Sequence, residues 1–158
     1  MKITDLIVRF AVSSAGAAFD RHVVRYTGHS FVSFAFARAY GVDYNAPLLL
    51  TTIGARTAKK RSVVLPLFQA GKHLAVVGSK GGMRSDPHWV HNLRANPEVW
   101  IRVDRKLRPA RARIAMGQER VELWREITAL APVYLSYQEN CRKTREIPVV
   151  VLESCPTR

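Results

Sequence analysis

Apolar residues recur at helical spacing along the first stretch of the chain, through Leu6, Phe10, Ala17 and Val24, and Gly28 stands where a helix would leave through the left-handed region. The spacing predicts a helix over 4–27, capped by Thr4 or Asp5. A second apolar segment, 31–40, carries Phe31, Phe34 and Phe36 and stops at Gly41, which predicts another helix. Together they read as a helical N-terminal arm over residues 1–45. The pattern changes at Pro47, where 48–53 is a short apolar run with turn residues beyond it, the mark of a buried strand. Residues 61–68 and 73–79 read as two more strands, joined by Ala70-Gly71-Lys72 as a hairpin. Pro66 donates no ladder hydrogen bond, so it is expected at an edge, a bulge or an interruption.

Asp86-Pro87 places a capping acid before a proline at the first helical position, and the helix is expected to end near Ala95, ahead of Asn96-Pro97. Residues 99–103 and 107–115 form a second hairpin across Asp104-Arg105-Lys106, with Arg111 and Arg113 on a wet basic face and Ala110 and Ala112 on the other. Helical period returns over 118–130 through Val121, Trp124 and Ile127; Pro132 ends that helix, and 147–152 supplies a last buried strand. About six strands linked mostly by hairpins are not the regular alternation of a parallel doubly wound fold. The expectation is an α+β chain whose residues 46–158 make a small, mostly antiparallel barrel with flanking helices, one domain in all.

Composition narrows the class of partner. Of 158 residues, 47% are apolar and 23% charged, which excludes wholesale disorder and collagen-like or low-complexity chains. Lysine and arginine number 25 against 12 acids, and 25 − 12 = +13, so nucleic acid, acidic lipid or a phosphorylated cofactor would accumulate at this surface. Cys141 and Cys155 lie close enough in sequence to bridge, but two thiols are too few for a disulfide framework, and a reducing cytoplasm is the simpler reading. The apolar stretch 6–19 is broken by Arg9 and is shorter than the roughly 20 residues of a membrane span. Peripheral attachment to a membrane stays open.

Two segments concentrate chemistry. Gly54-Ala55-Arg56-Thr57-Ala58-Lys59-Lys60-Arg61 gathers cations and a hydroxyl on a turn, suited to phosphate or carboxylate, although such runs also occur as solvated turns. Val77-Gly78-Ser79-Lys80-Gly81-Gly82 ends a strand in glycines that let backbone N–H groups converge on an anion; it is neither a Walker loop nor a dinucleotide turn, and a flexible loop is the alternative. His88 and His91 share a helical face without a third ligand, so no metal is expected. Cys141 has no evident partner base, and the Ser, His and Asp residues suggest no triad. Tyr134 and Tyr137, three apart, either wall a pocket or pack.

Taken together, the segments 48–54 entering a basic turn, Ser79-Lys80-Gly81-Gly82, Pro87-x-Trp89-x-x-Asn92-Leu93-x-Ala95-Asn96-Pro97, Ala110-Arg111-Ala112-Arg113 and Ile147-Pro148-Val149-Val150-Val151-Leu152-Glu153 resemble the deazaflavin-dependent nitroreductase family of actinobacterial oxidoreductases. The resemblance covers roughly 47–153 and implies a split β-barrel that uses coenzyme F-420, an 8-hydroxy-5-deazaflavin. It implies that Arg56, Thr57, Lys59 and Arg61, with Ser79, Lys80 and Asn92, hold the cofactor's phosphate and acidic tail. Ser62, Val63, Val64, Leu65 and Pro66, the stretch from Val77 and Gly78, and Trp89 would line the ring, while Ser79, Tyr134 and Tyr137 would serve the acceptor as catalytic groups. Where many members read Gly-Arg-Lys-Ser/Thr-Gly-Lys, this chain has Gly54-Ala55-Arg56-Thr57-Ala58-Lys59, one cation and one glycine fewer, and Pro66 falls one residue later than the commoner form. The implied activity is hydride transfer from reduced F-420 to a quinone, an enone or a nitro compound, in a cytoplasmic protein whose arm is free to touch a membrane. Related split barrels bind FMN, haem or biliverdin, which keeps an FMN- or haem-binding protein as the runner-up. A non-enzymatic nucleic-acid binder is the alternative from another class, though no nucleic-acid motif is present.

Overall fold

The structure, a computed structural model, describes residues 13–40 and 47–154. Helix α1 (Ser14–Thr27) starts at Ser13, whose hydroxyl accepts the Gly16 N–H at 3.0 Å, and ends at Gly28, left-handed at φ 78°. The expected earlier start at Thr4 or Asp5, the arm's boundary at 45 and the Cys155 half of a disulfide lie outside the described residues. Helix α2 (Phe31–Tyr40) is tied to α1 by Asp20, buried at the start of α2, which accepts the Ser30 hydroxyl at 2.7 Å and the Val32 N–H at 3.1 Å. A carboxylate there satisfies the helix's unpaired donors and its dipole together.

The sheet comprises β1 (Pro47–Ile53), β2 (Lys60–Pro66), β3 (Phe68–Ala70), β4 (His73–Val77), β5 (Glu98–Val103), β6 (Lys106–Ile114) and β7 (Val149–Ser154). All seven strands pair antiparallel in the order β2-β1-β5-β6-β7-β4-β3. A turn of 3₁₀-helix (Lys80–Gly82) and helix α3 (His88–Ala95) separate β4 from β5, while α4 (Gly117–Leu130) and α5 (Val133–Cys141) separate β6 from β7.

The run expected as a single strand over 61–68 is two. Pro66 closes β2 opposite Pro47, and Phe68 opens β3 on β4, so one residue, Leu67, connects the two opposite edges of the sheet. Only a curled sheet brings its edges that close, and this is the closure of the split barrel. Pro66 sits where the ladder stops, as its missing N–H requires.

Alternation along the strands divides the core in two. Leu48, Leu50, Val76, Val150 and Leu152 pack on one face against Trp89, Val90 and Leu93 of α3. Ala75, Val77, Val149 and Val151 pack on the other against Leu123 and Ile127 of α4 and Tyr134 and Cys141 of α5. Val121, expected in the stripe of α4, is 56% exposed; Leu123 takes its place beside the expected Ile127. The β5–β6 hairpin turns on two residues, Asp104 and Arg105, at φ 47° and 66°, rather than the three expected. Its face bearing Arg111 and Arg113 is not simply wet, because Arg113 is engaged by two carboxylates.

Candidate functional site

The cationic turn is a closed loop. The Gly54 N–H donates to the Lys59 carbonyl and the Ala58 N–H to the Gly54 carbonyl, each at 2.9 Å. A side chain at 54 would meet the Thr57 hydroxyl at 2.8 Å, and Ala58 occupies the left-handed region at φ 53°, the place where the related pattern has glycine. Asn92 pins this loop to α3: its Oδ1 accepts the Ala55 N–H at 3.0 Å and its Nδ2 donates to the buried Thr52 hydroxyl at 3.0 Å. The side chains of Arg56 and Arg61 are left with no carboxylate partner among the described residues.

The glycine loop faces it. Lys80, Gly81 and Gly82 are all left-handed, at φ 49°, 63° and 77°. Two N–H groups of this loop are engaged internally: the Gly82 N–H donates to the Ser79 carbonyl and the Met83 N–H to the Lys80 carbonyl. Gly82 and Gly78 serve close packing. A Cβ at Gly82 would lie 2.7 Å from the Tyr137 carbonyl oxygen, and one at Gly78 2.8 Å from the Pro148 ring. Lys80 extends from this loop, its Nζ donating to the Ser85 hydroxyl at 3.1 Å.

Between them lies a cleft of about 970 Å³. Gly54, Ala55, Arg56, Thr57, Arg61, Ser62 and Val63 form one wall; Lys80, Ser85, Asp86, His88, Trp89, His91 and Asn92 form the other. Eight residues expected from the sequence therefore meet: Arg56, Thr57, Arg61, Ser62, Val63, Lys80, Trp89 and Asn92. The Ser62 hydroxyl, however, shares a 2.8 Å hydrogen bond with Thr51. Trp89, 7% exposed, lines the cleft and is also part of the core.

The other expected residues stand elsewhere. Lys59, Val64, Leu65, Pro66, Val77, Gly78 and Ser79 are not among the lining residues. Val63 and Leu65 both pack against the core on the α3 side, whereas Val77 belongs to the core on the α4–α5 side. Tyr134 and Tyr137 also lie off the lining, in edge-to-face contact at 5.9 Å, with Tyr134 7% exposed against Phe68. Burial, with Tyr137 beside it, pushes the Tyr134 phenol far above its ordinary value, so it stays protonated. Cys141 is buried too, its thiol donating to the Tyr137 carbonyl at 3.2 Å.

Asp86, Ser85 and Arg145 escaped the sequence reading as site components. Asp86 is not the cap of α3; Pro87 holds that position, and the carboxylate takes Arg94 and Arg145, each at 2.7 Å. Arg145 comes from the α5–β7 connection and had no sequence signal beyond being one more arginine in a basic chain. His88 and His91 do line the cleft, and among the described residues no three potential metal-ligating groups gather.

Comparison with known proteins gives this geometry its context. The sequence model of the F-420H(2)-dependent quinone reductase family matches residues 33–154. An F-420H(2)-dependent quinone reductase of Mycobacterium tuberculosis is 39% identical over 108 residues, which cover 66% of this chain and 71% of that protein. A solved structure described as an F-420-H2-dependent reductase superposes with a TM-score of 0.60 at 37% identity, covering 68% of this chain and 93% of the other. Another, described as a domain-swapped dimer, gives 0.61 at 37% identity and covers 68% of this chain and 79% of its own. The split barrel and the deazaflavin dependence implied by the motifs are both borne out, and the chain is a member of the F-420H(2)-dependent quinone reductase family, an oxidoreductase that works with coenzyme F-420.

Proposed function

We propose that the cleft between the Gly54–Arg61 turn and α3 holds coenzyme F-420 while a quinone is reduced beside it. The observation that carries the reading is the chemistry of the lining: Arg56, Arg61 and Lys80 at one cleft, with Val63 and Trp89 as its apolar wall. F-420 joins a planar deazaflavin to a phosphodiester and a glutamate tail, and the donor set suits both parts. Arg56 and Arg61 offer planar forks to phosphate or carboxylate oxygens, and Lys80 a movable charge. Thr57 adds a hydroxyl. Asn92 holds the Ala55 backbone of this turn in place.

When bound, reduced F-420 supplies a hydride, and a quinone that accepts it together with one proton leaves as the hydroquinone. The protein's part is alignment and exclusion of water, which lower the barrier without new covalent chemistry. Ser79 and Tyr137 are the hydroxyls proposed to face the acceptor, and Tyr134, buried behind Tyr137, would act by packing its neighbour rather than by giving up a proton. A phenol with the ordinary value of about 10 is a hydrogen-bond donor at neutral pH. Among the described residues no helix is long and apolar enough to cross a membrane. The N-terminal helices are proposed as a peripheral contact at most.

Titration of F-420 into the folded protein tests the reading. A saturable change of coenzyme fluorescence at micromolar concentration, followed by quinone-dependent oxidation of the reduced coenzyme, is expected. Folded protein that leaves the fluorescence unchanged, or that prefers FMN or haem in the same titration, overturns it.

A further inference from the structure

We infer that Arg145, which does not line the cleft, is the positioning residue that sets Lys80 for the anionic part of the coenzyme; this rests on the deazaflavin reading above. Its guanidinium binds both ends of the Lys80 loop. Nη1 donates to the Gly78 carbonyl at 3.0 Å, Nη2 to the Ser79 carbonyl at 2.6 Å and Nε to the Met83 carbonyl at 2.8 Å. Nη1 also meets the Asp86 carboxylate at 2.7 Å. The Arg145 and Asp86 side chains are only 10% and 11% exposed. A planar fork reaches four acceptors in several directions, which an ammonium on the same stem does not.

The loop between those anchors is not one the backbone chooses freely. Lys80 is left-handed at φ 49°, a conformation that costs a residue with a Cβ about 1 kcal/mol or more. It persists because its flanks are held: Arg145 draws in the carbonyls before and after it, and Gly82 is pressed against the Tyr137 backbone. The same cation compensates Asp86, the one carboxylate among the lining residues, whose other oxygen takes Arg94 of α3 at 2.7 Å. Loss of Arg145 would release the lysine from its strained position and leave Asp86 with a single partner beside an anionic ligand.

The test is a double-mutant cycle read by F-420 fluorescence titration, with hydrogen exchange of the apoprotein as the readout independent of the coenzyme. Arg145→Gln is expected to weaken F-420 binding about tenfold or more in the otherwise natural chain and by no more than about threefold in the Lys80→Ala background. It raises KM for the coenzyme more than it lowers kcat. In the apoprotein the Gly82 and Met83 amides exchange about tenfold faster while amides of β5 and β6 do not change. Arg145→Lys keeps the charge without the fork and is expected to reproduce the loss, which keeps the question answerable if the glutamine variant folds poorly. Equal losses in both backgrounds, or unchanged amide exchange at Gly82 and Met83, overturn the assignment. An absence of F-420 binding to the unsubstituted protein overturns the cofactor reading instead, and the exchange measurement still decides whether Arg145 holds the loop.

Discussion

Arg61 and Arg113 stand on strands of the same sheet and are put to opposite uses. Arg113, on β6, is gripped by the Glu119 carboxylate at 2.6 and 2.7 Å and by Glu153 at 2.6 Å. Arg61, on β2, projects at the cleft with its guanidinium unpaired among the described residues. Arg94, Arg120 and Arg145 follow the first pattern, each bound to a carboxylate, and Arg56 follows the second. The chain's net charge of +13 is thus not a uniform coat. Some cations tie elements together and are neutralised where they sit, whereas Arg56 and Arg61 of the cleft have no carboxylate partner among the described residues.

That contrast is open to direct attack. The largest effect belongs to Arg61→Ala, expected to raise the Kd for F-420 by about 10- to 100-fold, the worth of a charge-assisted hydrogen bond to an anion. Its Tm should stay within a degree or two, because an exposed side chain with no partner holds nothing together. Parallel fluorescence titration and thermal melts check both halves. Asn92→Ala crosses the divide. It removes the bonds to Ala55 and Thr52, so it should cost about 1–3 kcal/mol of stability in urea melts and weaken coenzyme binding as well, by loosening the cationic turn.

Glu119→Gln probes the other side. The Arg113 hydrogen bonds hold the Glu119 carboxyl below its ordinary value against a smaller upward push from burial. A depressed carboxyl stabilises the fold above the ordinary carboxylate range, near 4.5, and that contribution disappears as pH falls through the folded value. The pair is about one-third exposed, so the loss is about 1 kcal/mol or less. Melts from pH 7 down to 3 should show a flatter acid limb in the variant, with F-420 affinity at pH 7 unchanged. The smallest effect is a gain: Ala58→Gly relieves the left-handed alanine at φ 53° and should add up to about 1 kcal/mol, set against the greater freedom of glycine in the unfolded chain. A lower Tm would mean the turn carries no strain at that residue.

The short-range features of this molecule were legible in the residues. Gly28 ends α1 through its left-handed dihedrals and Pro66 stops its strand through its missing N–H; each acts through one residue, which no neighbour has to supply. The arginines and lysine of the cleft were singled out because cations crowd into short turns, and Asn92 because it falls in a motif shared with the family. A pattern with two spatial solutions could not be resolved from residues alone. A run such as 61–68 alternates equally well as one strand or as two strands on opposite edges, and the structure takes the second.

The sequence by itself determined most of the elements, the excess of positive charge and the family's motifs, because these depend on residue types and intervals a few positions long. Tertiary structure alone decided that β2 and β3 take opposite edges, that Asn92 reaches back to Thr52 and Ala55, and that Arg145 crosses to Gly78, Ser79, Met83 and Asp86. Those pairings join positions 37 to 67 residues apart. Many arginines in a basic chain could in principle meet a given carbonyl, and only the curl of the barrel selects the one whose guanidinium arrives there.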